Sequence, residues 1–247
     1  MALRITDVSA DAVLLAGGAR AILLQLAHPG VAHGVARHSD FAERPLDRLH
    51  GTLTYLYVTV YGTPDEARTV ARAVGRAHAP VTGASDPDLQ LWVAATLYDT
   101  AMRVRELVYG TLSDEDGESL LDDHAVVGTA LGVPRASWPA SRAAFAQYWS
   151  SAALAVGDEA RGVADALLHP SNVPWWMRAL MPTVRLATAG LLDADLRAAY
   201  GLELDERRYA RLVRALRIVY PRLPRLIRHA PMRRYLRAFR RGTASSR

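Results

Sequence analysis

The chain has 247 residues, half of them hydrophobic, with 30 basic against 25 acidic side chains and a net charge of +5. All 30 basic residues are arginine and there is no cysteine, which excludes thiolate nucleophiles, iron–sulfur clusters, thiolate-ligated haem, lysine Schiff bases and P-loop chemistry. A metal or cofactor would have to be held mainly by the eight histidines and the carboxylates.

The predicted elements are helical from end to end. The segment Met1 to Val13 lacks the basic–apolar–small order of a signal peptide. Leu14 to Ala27 is interrupted only by Arg20 and Gln25, which suggests a helix buried on most sides. Pro29 ends or kinks it near His28, and a short helix over Val31–Arg37 follows. Pro45 suits the first turn of a helix running to about Tyr61. Thr63 and Pro64 read as N-cap and first position of the next helix, in which Val70, Val74, His78 and Val81 share one face. Asp86-Pro87 opens a helix reaching about Val108, and Ser113 with Asp116 starts one to Leu131. Ala140 to Ala155 is helical again, and Asn172-Val173-Pro174 is a break before Trp175 and Trp176. Finally Tyr209, Leu212, Val213, Leu216 and Val219 form an apolar stripe opposite arginines 208, 211, 214 and 217.

No segment alternates with period two, so the fold class expected is all-α, one globular domain over 1–247 with its core at about 13–239. No run reaches the roughly 20 uncharged apolar residues of a membrane span, and a cytoplasmic location is expected. All acids lie at or before Glu206, where the chain carries −9; from Arg207 onward 41 residues hold 14 arginines and no acid. This Arg-rich helical segment, 207–241, admits peripheral contact with an anionic membrane. The stronger expectation is that its arginines solvate outer helix faces and pair with the acidic body. Without a reading motif, nucleic acid is not an expected partner.

Histidine carries what chemistry remains. His28, His33, His38 and His50 cluster, but their spacing is not that of a zinc helix. His124, among aspartates, is expected at the surface, and His169 as a helix-end cap. His78 stands out, with small neighbours on an apolar face, the setting in which an imidazole ligates haem iron; by itself such a residue is as compatible with a satisfied core position. Arg48, Thr52 and Tyr55 share a helix face, and an arginine and hydroxyl turned inward need partners. Those are Asp47 or Asp40 and the helix backbone, or else a cofactor, with Arg20 a further candidate anchor.

Several runs in order resemble one family. They are Arg20-x4-Gln25-x2-His28-Pro29, Gly34-Val35-x2-His38-Ser39-x-Phe41, Pro45-x2-Arg48-Leu49-x2-Thr52, Tyr61-Gly62, His78-x2-Val81-x-Gly83 and Asp86-Pro87-x3-Leu91-Trp92-Val93. Leu131-Gly132-Val133-Pro134, Trp138-Pro139 and Leu191-Leu192 with Leu196-Arg197 continue the pattern to roughly Phe239. Together they resemble the catalytic domain of rubber oxygenases (latex clearing proteins) and MpaB-type oxygenases.

The resemblance implies a globin-like all-α core holding haem b and oxidising isoprenoid double bonds with O2. It places His78 at the proximal iron ligand and Arg48 and Thr52 on the haem-facing helix, with Arg20 and His28 as further cofactor contacts. Three departures stand out: Gly51 where rubber oxygenases have lysine, Ala94 where the family often has histidine, and a shortened Gly83–Asp86 stretch. The expected function is a haem b-dependent oxygenase acting on a small or medium apolar, isoprenoid-like or aromatic, substrate with O2. The alternatives are a non-catalytic haem or apolar-ligand binding protein, and a docking module acting through its Arg-rich end.

Overall fold

The computed structural model describes residues 2–37, 45–171 and 173–244. His38, Ser39, Asp40 and Phe41 of the motifs above, and Asn172, lie outside the described residues. The described residues form helices and no strand. These are α1 (Ile5–Val8), α2 (Gly18–Ala27), α3 (Pro29–Arg37), α4 (Pro45–Tyr61), α5 (Pro64–His78), α6 (Pro87–Tyr109), α7 (Asp114–Thr129), α8 (Arg142–Ser151), α9 (Asp158–Leu168), α10 (Trp175–Leu191), α11 (Ala194–Ala199), α12 (Glu206–Val219), α13 (Arg225–Arg228) and α14 (Ala230–Ala244), with short 3-10 turns at Ala12–Gly17, Arg135–Ser137 and Tyr220–Arg222. The fold is all-α.

Local chemistry sets the boundaries. Thr63 accepts the Glu66 N–H at 3.2 Å while Glu66 accepts the Thr63 N–H at 2.8 Å, a reciprocal cap that starts α5. Asp86 accepts the N–H of Asp88 at 2.8 Å and starts α6. Gly132, at φ +109, turns the chain after α7. The sequence pattern carried the α5 helix on to Val81, but it stops at His78, because Pro80 cannot continue the ladder. The helix expected from Leu14 is also divided, into the 3-10 turn and α2. Gly17 sits at the join, where a Cβ would run into the Thr100 methyl; the bare backbone lets this turn lie on α6.

The long helix α6 is the axis, with α2, α7, α12 and the Ala12–Gly17 turn packed around it, while α4 lies between α5, α7 and α14. Trp92, fully buried, donates Nε1–H to the Leu24 carbonyl at 3.2 Å and stacks near Trp149 at 5.1 Å. A second aromatic group, Tyr98, Trp138 and Phe145, fills the space between α6, α7 and α8. Truncating side chains of this size costs about 3–5 kcal/mol in typical cores.

His124 is corrected by this packing. It is buried, not at the surface, with its ring edge-on to Tyr98 at 5.4 Å and stacked on Trp138 at 6.4 Å. Only one face of α7 carries the aspartates, and the other faces the core. Burial drives its pKa down to about 4, so the ring is neutral at pH 7. His169 caps the end of α9, with Nδ1 2.8 Å from the Asp165 carboxylate.

No single helix among the described residues is long and apolar enough to cross a membrane. The bent pair over Ala12–Ala27 and Pro29–Ala36 passes by composition alone, and most of its α2 half is core.

Candidate functional site

One end of the bundle gathers the end of α2, α3, the start of α4, the end of α5 and the start of α6. Glycines allow the close fit. A Cβ on Gly34 of α3 would lie 2.5 Å from the Thr82 carbonyl oxygen, so only glycine lets α3 rest on the turn after α5. Gly30 meets Leu89 in the same way, at 3.0 Å.

His78, the last residue of α5, stands at this end of the bundle. On its own helix Val70 and Val74 face the core, and His78 extends that face past the packed region into a half-buried position. Among the described residues no hydrogen bond engages its ring. Its pKa is lowered, first by burial and second by the positive charge of Arg48, so the imidazole is neutral at pH 7. A neutral imidazole with unengaged ring nitrogens is a ligand in waiting.

Arg48, in the first turns of α4, is the charge that His78 feels across the α4–α5 contact. Its guanidinium is partly stripped of solvent by crowding protein, which pulls its pKa down, although much of the side chain still meets water. Thr52 follows one turn later on the same face and is exposed. Tyr55, expected to share their environment, does not: it is buried and donates its hydroxyl to the Val127 carbonyl. The stripe is continuous, but α7 covers only its later part and leaves the first turns of α4 open. Gly51 also faces open space, with nothing within 4 Å of an added Cβ.

Two of the expected cofactor contacts are placed differently. Arg20 is fully buried in the centre of the bundle, donating to the Leu191 carbonyl at 2.8 Å and the Thr100 hydroxyl at 2.7 Å and pairing with Asp99 at 2.7 Å. Its Nε and Nη1 are hydrogen-bonded and its Nη2 faces Asp99 as an ion pair, and Thr100 lies two turns of α6 beyond Trp92. These contacts tie α2, α6 and α10 together. His28 ends α2, and its Nδ1 accepts the Gly30 N–H at 3.2 Å. Its ring lies 6.1 Å from Trp92.

Among the described residues no three His, Asp or Glu side chains converge to hold a metal ion. A cofactor that brings its own equatorial ligands asks less of the protein: one axial nitrogen, small side chains alongside, and a cation. His78, with Gly75, Ala77 and Ala79 around it and Arg48 opposite, fits that demand. A separate cleft of about 610 Å³ lies elsewhere, lined by Tyr98, Glu106, Arg142, Phe145, Tyr209 and Arg217 among others.

The model of the ER-bound oxygenase mpaB/B'/rubber oxygenase catalytic domain matches residues 6–218. The chain belongs to this family. Its relatives include two uncharacterised proteins, one of Mycobacterium bovis and one of Mycobacterium tuberculosis, each 35% identical over 226 residues and covering 82% of this chain and 87% of their own length. No solved structure matches it. The family is one of oxygenases, and O2 and an oxidisable substrate follow from membership. Sequence reasoning missed the contacts that the fold gives Arg20, with the Leu191 carbonyl, Thr100 and Asp99. They are not visible without knowing which groups lie across from it.

Proposed function

We propose that the protein is a haem b-dependent oxygenase acting on a small or medium apolar substrate, with His78 as the residue that would hold the iron. The observation that carries this is the His78 imidazole itself, kept neutral, without a hydrogen bond among the described residues and half-buried within reach of the Arg48 charge, in a chain of an oxygenase family. Haem iron, when bound, supplies the activation of O2 that no side chain of a lysine- and cysteine-free protein offers.

The chain's own residues would do the rest. His78 would hold the metal through one ring nitrogen, and since no hydrogen bond engages that ring among the described residues, none of those would have to be broken first. Arg48 provides a fixed positive charge toward the cleft, suited to a haem propionate or to charge that develops on reacting oxygen. Thr52, one turn on, adds a hydroxyl that donates or accepts as required. Gly51 leaves the adjoining surface open to substrate, where rubber oxygenases carry a lysine.

Purified protein titrated with haemin should develop a Soret band, and His78→Ala should lose it with unchanged helical circular dichroism. Absence of a Soret band in the wild-type protein after haemin addition would exclude the proposal. Arg48→Ala separates two roles: loss of haem marks a propionate anchor, while retained haem with reduced O2 consumption marks a role in the reaction. Haem retained without O2 consumption in the wild type would point to the carrier alternative.

A further inference from the structure

The end of the chain carries a feature that the His78 cleft does not use and that begins where the family match stops, at residue 218. From Ile218 to Ile227 the backbone makes the Tyr220–Arg222 turn, a Leu223-Pro224 corner and α13. Ile218, Val219, Leu226 and Ile227 all stand more than half exposed there, Leu226 at 71%. Val219 was expected on the buried stripe of α12, yet the stripe ends at Leu216, which packs near Val13, Val104 and Leu191. Four large apolar side chains within ten residues form one projection, and exposing them forgoes hydrophobic free energy unless something covers them.

The projection is mounted at both ends. Tyr220 is buried, and its hydroxyl accepts the Val13 N–H at 3.0 Å. After Ile227, Arg228 and His229 reach the buried Asp11 carboxylate at 3.3 and 3.5 Å, and Tyr109 donates its hydroxyl to the same carboxylate at 2.7 Å. Arg233 donates to the Arg225 carbonyl at 3.0 Å. The apolar side chains are therefore held out by fixed anchors.

Charge says what covers them. Arg222 and Arg225 lie within the projection, and Arg214, Arg217 and Arg234 flank it. Among the described residues none of these five pairs with a carboxylate, whereas Arg208, Arg228 and Arg240 do. Arg217 and Arg222 donate to the Leu107 and Ile218 carbonyls, which leaves their charge uncompensated. Apolar side chains set among guanidinium groups that no carboxylate neutralises match a lipid interface, with an acyl boundary for the one and headgroup phosphates for the other. Nucleic acid offers phosphates but no apolar phase for Leu226 and Ile227. We propose that the Ile218–Ile227 projection docks the protein on an anionic lipid surface, with Leu226 and Ile227 entering the acyl boundary and Arg222 and Arg225 on the phosphates. This does not depend on the haem proposal.

Co-sedimentation of the full chain with vesicles tests it, using phosphatidylcholine alone against phosphatidylcholine mixed with phosphatidylglycerol. Binding to the mixed vesicles should weaken with salt and fall roughly tenfold or more in Leu226→Asp/Ile227→Asp. Arg222→Glu/Arg225→Glu should also weaken it, and since all four side chains are exposed, thermal melting should hardly change. Failure of the wild type to bind anionic vesicles, or equal binding by both double variants, would overturn the proposal. So would a wild-type dimer that Leu226→Asp/Ile227→Asp converts to monomer without vesicle binding, because the projection would then be a contact between copies. Binding of duplex DNA in place of vesicles, lost in Arg222→Glu/Arg225→Glu, would overturn it equally.

Discussion

Arg20 with His124 in the interior, and Arg48 with His78 at the open end, are two pairings of the same residue types with opposite fates. Arg20 is encircled by the Leu191 carbonyl, Thr100 and Asp99, and His124 is wedged against Tyr98 and Trp138. Arg48 and His78 instead meet at a boundary where α4 and α5 outrun the helices that cover them. Residue type does not separate structural from functional use here. What separates them is how deeply the surrounding helices bury them: Arg20 and His124 are enclosed in the core, whereas Arg48 is exposed and His78 half-buried.

The contrast can be broken at four points, from the largest expected effect on stability to the smallest. Arg20→Ala should cost about 3–5 kcal/mol in urea denaturation, because it strands Asp99 and two acceptors in the interior. A loss below about 1 kcal/mol would mean that the buried network is not what joins α2, α6 and α10.

His124 should make the fold acid-sensitive. Its folded pKa, about 4, lies below the ordinary 6.5, so the unfolded chain takes up the proton more readily between those values. Its contribution is fully present above about pH 6.5 and drains as pH falls toward 4, by up to about 3 kcal/mol. Denaturant midpoints measured at pH 7 and pH 5 should converge in His124→Phe relative to the wild type.

Gly51→Ala should raise stability by about 0.5–1 kcal/mol, since a methyl there meets nothing within 4 Å and glycine inside a helix is costly. Haem uptake should be unaffected. Destabilisation instead would show that the first turns of α4 lie closer to a neighbour than described.

His78→Ala should change stability least, by less than about 0.5 kcal/mol, as expected of a partly open side chain without a hydrogen bond, yet should abolish haem uptake. The same lowered pKa predicts that wild-type haem binding persists to a lower pH than an ordinary histidine would allow, as a spectroscopic pH titration would reveal. These two variants, one silent in function and one silent in stability, sharpen the comparison from both sides.

Much of the helix plan was legible. Thr63-Pro64, Asp86-Pro87 and Ser113 are local signals whose physics acts within a few residues, and each marks a real helix start. The α10 helix was not foreseen as a unit because Pro182 lies inside it, and proline normally argues for a boundary. His124 was misjudged for a different reason: its aspartate neighbours in sequence occupy the opposite side of α7. Spacing and family pattern drew attention to His78, Arg48, Thr52 and Arg20 alike, and the pattern could not show that Arg20 lies fully buried between α2, α6 and α10 while Thr52 is exposed.

The sequence by itself determined the all-α class, the helix starts, the family and the absence of lysine and cysteine chemistry, because composition, caps and periodicity are properties of short stretches of chain. Only the tertiary structure decided that Arg20 and His124 are spent in the core, that Tyr55 parts from Arg48, and that Leu226 and Ile227 are held in water. Each of those outcomes depends on which distant backbone groups and side chains lie opposite, and sequence spacing along one helix carries no record of that.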